Sequence, residues 1–303
     1  LGGTAMKLHY TLEGDDPRHH MEDLIEQVMK HPNIKVHTDS RVALSMGRAG
    51  RFMSVISTDE GSIPLQHGAT ILATGGQEAK VYEYGNRVHK TVLTQLELED
   101  KLATGQVDTA ELSGVAMIQC WRSRDGSRDY CSRVCCAGAL KNALMLKSKN
   151  PDLPVYIFYR DIMTYGFSEK YYTQARQAGA IFIRYDLDHK PEVSFEDAKP
   201  VITAYDHILQ RPVTIKADLL VLSSGVEPNE AGELAEMFGV ELDDNGFFQE
   251  AESKWRPVDF MKQGVFMCGL ARAPGNINET IASAKAAAQR AMRVLSEKRL
   301  VSG

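Results

Sequence analysis

Three apolar runs, each closed by a glycine turn, restrict what this 303-residue chain can fold into. They are Ala69-Thr70-Ile71-Leu72-Ala73-Thr74-Gly75-Gly76, Ala217-Asp218-Leu219-Leu220-Val221-Leu222-Ser223-Ser224-Gly225 and Gly264-Val265-Phe266-Met267-Cys268-Gly269-Leu270-Ala271. Strands this continuously apolar are buried on both faces, which is the condition of a parallel sheet covered on both sides. Val115-Ala116-Met117-Ile118-Gln119 and Val155-Tyr156-Ile157-Phe158-Tyr159 read the same way, with a shorter strand at 180–184. Between them the apolar spacing turns helical at 132–149 and 168–178, and a long Ala-rich helix covers 278–297. Strand, turn and helix in alternation predict an α/β fold of the doubly wound kind. Near the N-terminus the pattern predicts a helix over 23–29, a short strand at 34–38 and a hairpin-like stretch over 42–62.

Hydrophobic residues make up 43% of the chain and charged residues 25%, enough for about two domains with their own cores. Net charge is −5 with basic and acidic residues interspersed, which argues against a nucleic-acid partner. No apolar run approaches the roughly 18 residues of a membrane span, and no signal-peptide pattern opens the chain, so the expected location is the cytoplasm. Leu1-Gly2-Gly3-Thr4-Ala5 reads as a loop arriving from preceding structure, as in a fragment.

Four of the five cysteines, Cys120, Cys131, Cys135 and Cys136, fall within one short stretch, and Cys268 stands alone. A tight cluster in a long chain without a leader points to metal or redox chemistry rather than a disulfide framework. Cys131 and Cys135 are four apart, so at a helix start they would share a face, with Cys136 adjacent and Cys120 returning from the preceding strand. Free N–H groups at such a helix start favour thiolates and a negatively charged 4Fe-4S cluster. A zinc site and reduced, buried or disulfide-paired cysteines are the alternatives; adjacent cysteines are uncommon in structural zinc sites. Cys268, in an apolar strand, reads as a small buried hydrophobe. The turn after 115–119 lacks the Gly-x-Gly-x-x-Gly that lets backbone approach a pyrophosphate, and Arg122, Ser123 and Arg124 occupy it, so a nicotinamide cofactor is not expected there.

The strands ending at Gly75 and Gly225 resemble those of flavoprotein disulfide oxidoreductases built on the thioredoxin reductase plan, in which a nicotinamide-type domain is inserted into a flavin domain. A closer resemblance runs through Gln119-Cys120, Ser123-Arg124-Asp125, Tyr130-Cys131-Ser132-Arg133-Val134-Cys135-Cys136, Lys141-Asn142-Ala143 and Tyr159-Arg160-Asp161-Ile162-Met163-Thr164-Tyr165-Gly166. With Val92 to Glu99 and Arg256-Pro257-Val258-Asp259, these motifs are similar to the A-type subunit of heterodisulfide reductase, an iron-sulfur flavoprotein, and cover essentially the whole chain. The sequence departs from that pattern at Trp121-Arg122, where Val-Gly is expected.

The resemblance implies a first flavin-domain segment over 1–111, an inserted unit carrying the cysteines over 112–230 and a last flavin segment over 231–303. It implies FAD held by Gly2, Gly3, Val42, Ala73, Thr74, Gly75, Gly269, Leu270, Ala271, Thr280 and Ile281, and a 4Fe-4S cluster on Cys120, Cys131, Cys135 and Cys136. The glycine-rich phosphate loop would precede Leu1, so weak FAD retention is expected of this stretch alone, along with self-association into a homo-oligomer. The implied role is electron transfer between FAD and the cluster, including flavin-based bifurcation, with other heterodisulfide reductase-type subunits and carriers such as ferredoxin or a hydrogenase as partners. Tyr165 and Gly166 would lie near the redox centres. No catalytic side chain is assigned, and no Cys-x-x-Cys redox pair is present. A conventional NAD(P)H-dependent disulfide oxidoreductase and a zinc-stabilised, non-enzymatic scaffold are the competing functions.

Overall fold

The computed structural model describes residues 1–82, 84, 89–126 and 128–301, with side chains through 296. In chain order the elements begin with α1 (Pro17–Lys30), β1 (Arg41–Arg48), β2 (Arg51–Thr58), β3 (Gly61–His67), β4 (Thr70–Leu72), β5 (Gly76–Glu78), β6 (Val92–Thr94) and α2 (Gln95–Ala103). They continue with β7 (Val115–Ile118), α3 (Cys135–Lys149), β8 (Val155–Tyr159), α4 (Glu169–Gln177), β9 (Ile181–Arg184), β10 (Glu192–Glu196), β11 (Lys199–Asp206) and β12 (Arg211–Lys216). The last are β13 (Leu219–Leu222), β14 (Val226–Pro228), α5 (Gly232–Phe238), β15 (Val265–Met267) and α6 (Ile277–Val301). The architecture is mixed α/β, as the glycine-closed runs require. The stretch at 34–38 forms no strand: it has no ladder partner, and Ile34 is exposed.

The chain divides into two compact units. One comprises residues 2–21 and 78–226, the other Leu1, 22–77 and 227–303. The crossings between them lie at 77/78 and 226/227. The reason is strand pairing. Val92-Leu93-Thr94 joins the sheet of the cysteine-bearing unit by parallel pairing with Leu220-Val221-Leu222, which brings β6 and α2 into this unit. Residues 2–21 also join this unit. Their anchor is the ion pair between Lys141 Nζ and Glu99 Oε2 at 2.7 Å, with Glu99 accepting from the His9 amide at 2.7 Å and Lys141 donating to the Tyr10 carbonyl at 2.7 Å.

In the cysteine-bearing unit the five parallel strands run in the order β6-β13-β7-β8-β9. Val115, Met117, Val155, Ile157, Leu219 and Val221 pack with Leu98, Leu102, Ala139, Ala143 and Leu146 of α2 and α3. Ala116, Ile118, Phe158, Leu220 and Leu222, on the opposite face, pack with Ile202, Ala204, Val213 and Ile215 of the antiparallel sheet β10-β11-β12. The second face is therefore covered by a meander whose half-exposed strands alternate apolar and polar side chains, a pattern weaker in sequence than the buried parallel runs. Helix α2 starts in a capping box: Thr94 Oγ1 accepts from the Glu97 amide at 3.2 Å while Glu97 accepts from the Thr94 amide at 2.7 Å.

Glu78 accepts a hydrogen bond from Thr94 Oγ1 at 2.8 Å, and burial pushes its carboxyl up to about 7 against that bond. Between its unfolded value near 4.5 and this folded value, the folded state holds more protons, so stability falls as pH rises through that window. Glu78→Gln is expected to remove this slope and to gain on the order of 2 kcal/mol at pH 8. Urea midpoints of both proteins at pH 5 and pH 8 check it; equal slopes would contradict the assignment.

The other unit holds the antiparallel sheet β1-β2-β3, bulged between Val42 and Leu44, and the parallel pair β15 and β4 in the register Val265 to Thr70 and Met267 to Leu72. Phe52, Leu72, Phe238, Phe248, Phe260, Val265, Met267 and Ala271 form its core, with Val42 packed against it. Arg290 on α6 makes a bidentate contact with the buried carboxylate of Asp259, at 2.7 and 3.0 Å to Oδ1.

Candidate functional site

The loop leaving the carboxyl end of β7 brings the four clustered cysteines together. Cys120 follows Gln119 directly, and the Trp121 amide donates to the Ser223 carbonyl at 3.1 Å, tying the loop to the end of β13. The carboxyl ends of adjacent parallel strands are where open α/β sheets bind ligands. Cys120, Arg122 and Arg124 all have left-handed backbone (φ 56, 49 and 62°), as does Arg133 (φ 58°). Alternating left-handed residues turn successive N–H groups to one side, a concavity suited to an anion such as an iron-sulfur cluster. Such conformations cost a non-glycine residue on the order of 1 kcal/mol each and persist where the surroundings over-determine them. At 122 the resemblance expects glycine, and the arginine that replaces it carries this strain.

The helix does not begin at Ser132. Left-handed Arg133 interrupts it, so α3 starts at Cys135, and Cys131 lies in the loop ahead of it rather than one turn back on a shared face. Cys131 is oriented by the Arg133 amide, which donates to its sulfur at 3.3 Å. No side chain caps the start of α3, where Cys135 and Cys136 stand. The Cys136 sulfur accepts from the Met163 amide at 3.3 Å and lies 3.6 Å from the Asp161 carbonyl. The segment ending at Tyr165-Gly166 thus reaches the site through Asp161 and Met163; Tyr165 itself is exposed.

Sequence reasoning did not assign roles to the residues around the thiols. Arg124 hydrogen-bonds Cys120 and pairs with Asp161 at 2.8 Å, and Arg160 Nη1 donates to the Arg124 carbonyl at 2.7 Å. Buried Ser132 Oγ accepts from the Val226 amide at 2.9 Å, and a Cβ on Gly225 would sit 2.5 Å from that oxygen, so only glycine fits there. The arginine-aspartate pairs within Ser123-Arg124-Asp125 and Tyr159-Arg160-Asp161 were the available signal.

Burial raises the Cys135 thiol strongly, with the other three thiols adding to the effect, and pushes Cys136 up to about 12 against the Met163 hydrogen bond. Burial raises Cys120 as well, opposed by Arg124. Burial thus disfavours the thiolate form of Cys120, Cys135 and Cys136 unless a cation neutralises them, which is the chemistry of metal ligands. The side-chain amide of Gln119 and the hydroxyls of Ser223 and Ser224, all buried at the ends of β7 and β13, lack hydrogen-bond partners among the described residues. Donors of that kind suit the sulfurs of an anionic cluster. No three of the four sulfurs lie within 4.8 Å of one another.

In the other unit, Ala73-Thr74-Gly75 follows β4 and Gly269-Leu270-Ala271 follows β15, so the parallel pairing of those strands brings the two turns side by side. Gly75 (φ 76°) and Gly269 (φ 67°) take conformations that favour glycine, and Asn229 Nδ2 donates to the Thr74 carbonyl at 2.8 Å. A Cβ on Gly269 would lie 3.3 Å from the Thr280 methyl, which places the first turn of α6, with Thr280 and Ile281, against the same turn. Val42 stands on β1, packed on the core that includes Leu72 and Ala271. Gly2 and Gly3 enter a 3-10 turn in the cysteine-bearing unit. Cys268 is packed among Val258, Phe266, Ala287 and Ala291.

No protein-family model matches the chain. It is 39% identical over 246 residues to the iron-sulfur A-type subunit of the CoB–CoM heterodisulfide reductase of Methanocaldococcus jannaschii, covering 75% of this chain and 37% of that protein. It is 35% identical over 238 residues to a protein of Archaeoglobus profundus described as similar to the A-type heterodisulfide reductase subunit, covering 77% of this chain and 33% of that protein. The chain thus spans about a third of the length of these curated relatives. In structure it is similar to the thioredoxin reductase of T. acidophilum, with a TM-score of 0.64 at 14% identity, covering 99% of this chain and 88% of that one. That likeness establishes the fold: two dinucleotide-binding-like domains of the thioredoxin reductase type.

Proposed function

Because this chain is a sequence relative of the A-type subunits of heterodisulfide reductase over three quarters of its length, we propose that it is an electron-transfer module of a heterodisulfide reductase-type oxidoreductase. Cys120, Cys131, Cys135 and Cys136 are its ligands for a 4Fe-4S cluster. The observation that carries this reading is their convergence, with Cys120 on left-handed backbone at the end of β7 and Cys135 and Cys136 at the start of α3. FAD is the second cofactor, held in the other unit by Val42, the turns 73–75 and 269–271, and Thr280 and Ile281. When bound, FAD would exchange an electron pair and release it singly, and the cluster would carry one electron at a time.

The chain's own residues bind, shield and bias. Cys135 and Cys136 place two thiolates at the uncapped start of α3, whose N–H groups favour negative charge. Arg124, held by Asp161, offsets the negative charge at Cys120. Gly75 and Gly269 leave backbone exposed for close approach, and the first turn of α6 presents its positive end to an anionic edge. Relatives carry names that include ferredoxin, F420H2 and hydrogen as reductants; carriers of that class, and partner subunits, are the electron sources and sinks proposed here, in the cytoplasm.

Anaerobic reconstitution with iron and sulfide tests the reading. The expected result is about four iron and four acid-labile sulfide per chain, with visible absorption that bleaches on reduction. Absence of iron, with zinc held by the four thiolates instead, would overturn it. Calorimetric titration with FAD tests the second cofactor separately, and Gly269→Val is expected to abolish whatever affinity the intact chain shows.

A further inference from the structure

A second cluster of metal-type ligands lies outside the cysteine site and touches none of the clustered thiols. Asp186 and His189 stand on the loop between β9 and β10, and His207 follows β11 at the turn into β12. His189 Nδ1 lies 2.9 Å from Asp186 Oδ1, and His207 Nε2 lies 3.1 Å from Asp186 Oδ2. One donor atom from each of the three falls within 4.8 Å of the other two, the one such trio among the described residues. We propose that Asp186, His189 and His207 form a binding site for a divalent first-row transition metal, with zinc as its simplest occupant.

The donor set decides the class of ion. Two imidazoles and one carboxylate suit zinc, nickel, copper or ferrous iron, whereas calcium and magnesium require mostly oxygen ligands. Three protein ligands leave at least one position for water, and the side chains are open enough to admit it, at 46, 53 and 39% exposure.

The rings are already oriented. The two imidazoles stand edge to face with centroids 5.8 Å apart, Tyr205 packs against both at 5.3 and 5.2 Å, and Asp186 also accepts from the His189 amide at 2.8 Å. Holding ligands in place before binding lowers the entropic cost of capture. An ion there ties the β9–β10 loop to the β11–β12 hairpin. That loop also carries Leu187 and Lys190, which line a cleft beside Cys120 and Arg122, and Lys190 pairs with Asp125 at 3.1 Å. Metal occupancy therefore stiffens a wall next to the cysteine loop.

Zinc chloride titrated against a chromophoric chelator measures the site in the full chain. Wild type is expected to take up one more zinc equivalent, with micromolar affinity or tighter, than His189→Gln/His207→Gln, whose cysteines are untouched. Either single substitution is expected to weaken that equivalent about tenfold or more. Asp188→Asn, a neighbouring carboxylate outside the trio, is expected to bind as wild type does. With cobalt in place of zinc, the equivalent lost in the double variant should lack thiolate-to-metal charge transfer. In unsubstituted protein, cobalt is expected to perturb the ring resonances of His189 and His207 before those of any other histidine, a readout independent of how the variants fold. Equal stoichiometry in wild type and double variant, loss in Asp188→Asn, thiolate absorption from the lost equivalent, or first perturbation of another histidine would each overturn the proposal.

Discussion

Cys135→Ser is expected to strip most of the iron from the reconstituted protein, at least a tenfold fall in iron per chain, while the far-UV circular dichroism stays that of the parent. The sulfur of Cys135 sits among three other thiols in a desolvated site, where burial and its neighbours hold the free thiol strongly protonated. It is ionised only by exchanging its proton for a metal bond, and a serine hydroxyl, far harder to ionise and a poorer partner for iron, does not follow it. The fold survives for a different reason. The core of this unit, built on Met117, Ile157, Leu146, Leu220 and their neighbours, is formed by β7, β8, β13, α2 and α3 without any contribution from the Cys135 side chain. Cys268→Ser is the control, since that sulfur lies in a separate apolar cluster and its replacement leaves the iron content unchanged. Iron retained at parental stoichiometry in Cys135→Ser would remove that residue from the ligand set. Loss of iron together with loss of the fold would make the cluster a structural support as well.

The second large effect concerns stability. Lys141→Met is expected to cost about 3–5 kcal/mol, because it leaves the Glu99 carboxylate, 1% exposed, as an uncompensated buried charge. Lys141 is itself only 10% exposed, and burial lowers its ammonium pKa while Glu99 opposes that shift. Replacing both partners with apolar residues of similar volume, Glu99→Leu with Lys141→Met, is expected to restore much of the loss, since desolvation of the pair nearly cancels its attraction. The substitution also removes the bond to the Tyr10 carbonyl, so residues 2–21 are expected to become a preferred site of proteolysis. Urea melts of the three variants and limited digestion of Lys141→Met check both statements. A change under 1 kcal/mol would mean that the pair is effectively hydrated.

Much of this protein is written locally. The buried strands at 115–118, 155–159 and 219–222 are legible as continuous apolar runs because a parallel strand covered on both faces has no polar side to display. Helices α3 and α6 show through their apolar spacing, and the cysteine cluster through its density, since both are properties of neighbours in sequence. The meander β10–β12 was not legible, because its half-exposed strands alternate weakly and their partners are known only once paired. Nor was the left-handed Arg133, which moves the start of α3 to Cys135 and takes Cys131 off the helix.

What the sequence determined by itself is therefore the α/β class, the order of its buried strands and the identity of the four thiols. Tertiary structure decided which pieces share a unit, since β6 finds its place only through pairing with β13 across more than a hundred residues, and residues 2–21 only through the buried Glu99 and Lys141. It also decided what surrounds the thiols, placing Arg124, Asp161 and Met163 about them and Gly225 against Ser132, and it assembled Asp186, His189 and His207. The physical reason is the same in each case: hydrogen bonds and ion pairs between distant segments depend on through-space distances that composition, periodicity and local spacing do not encode.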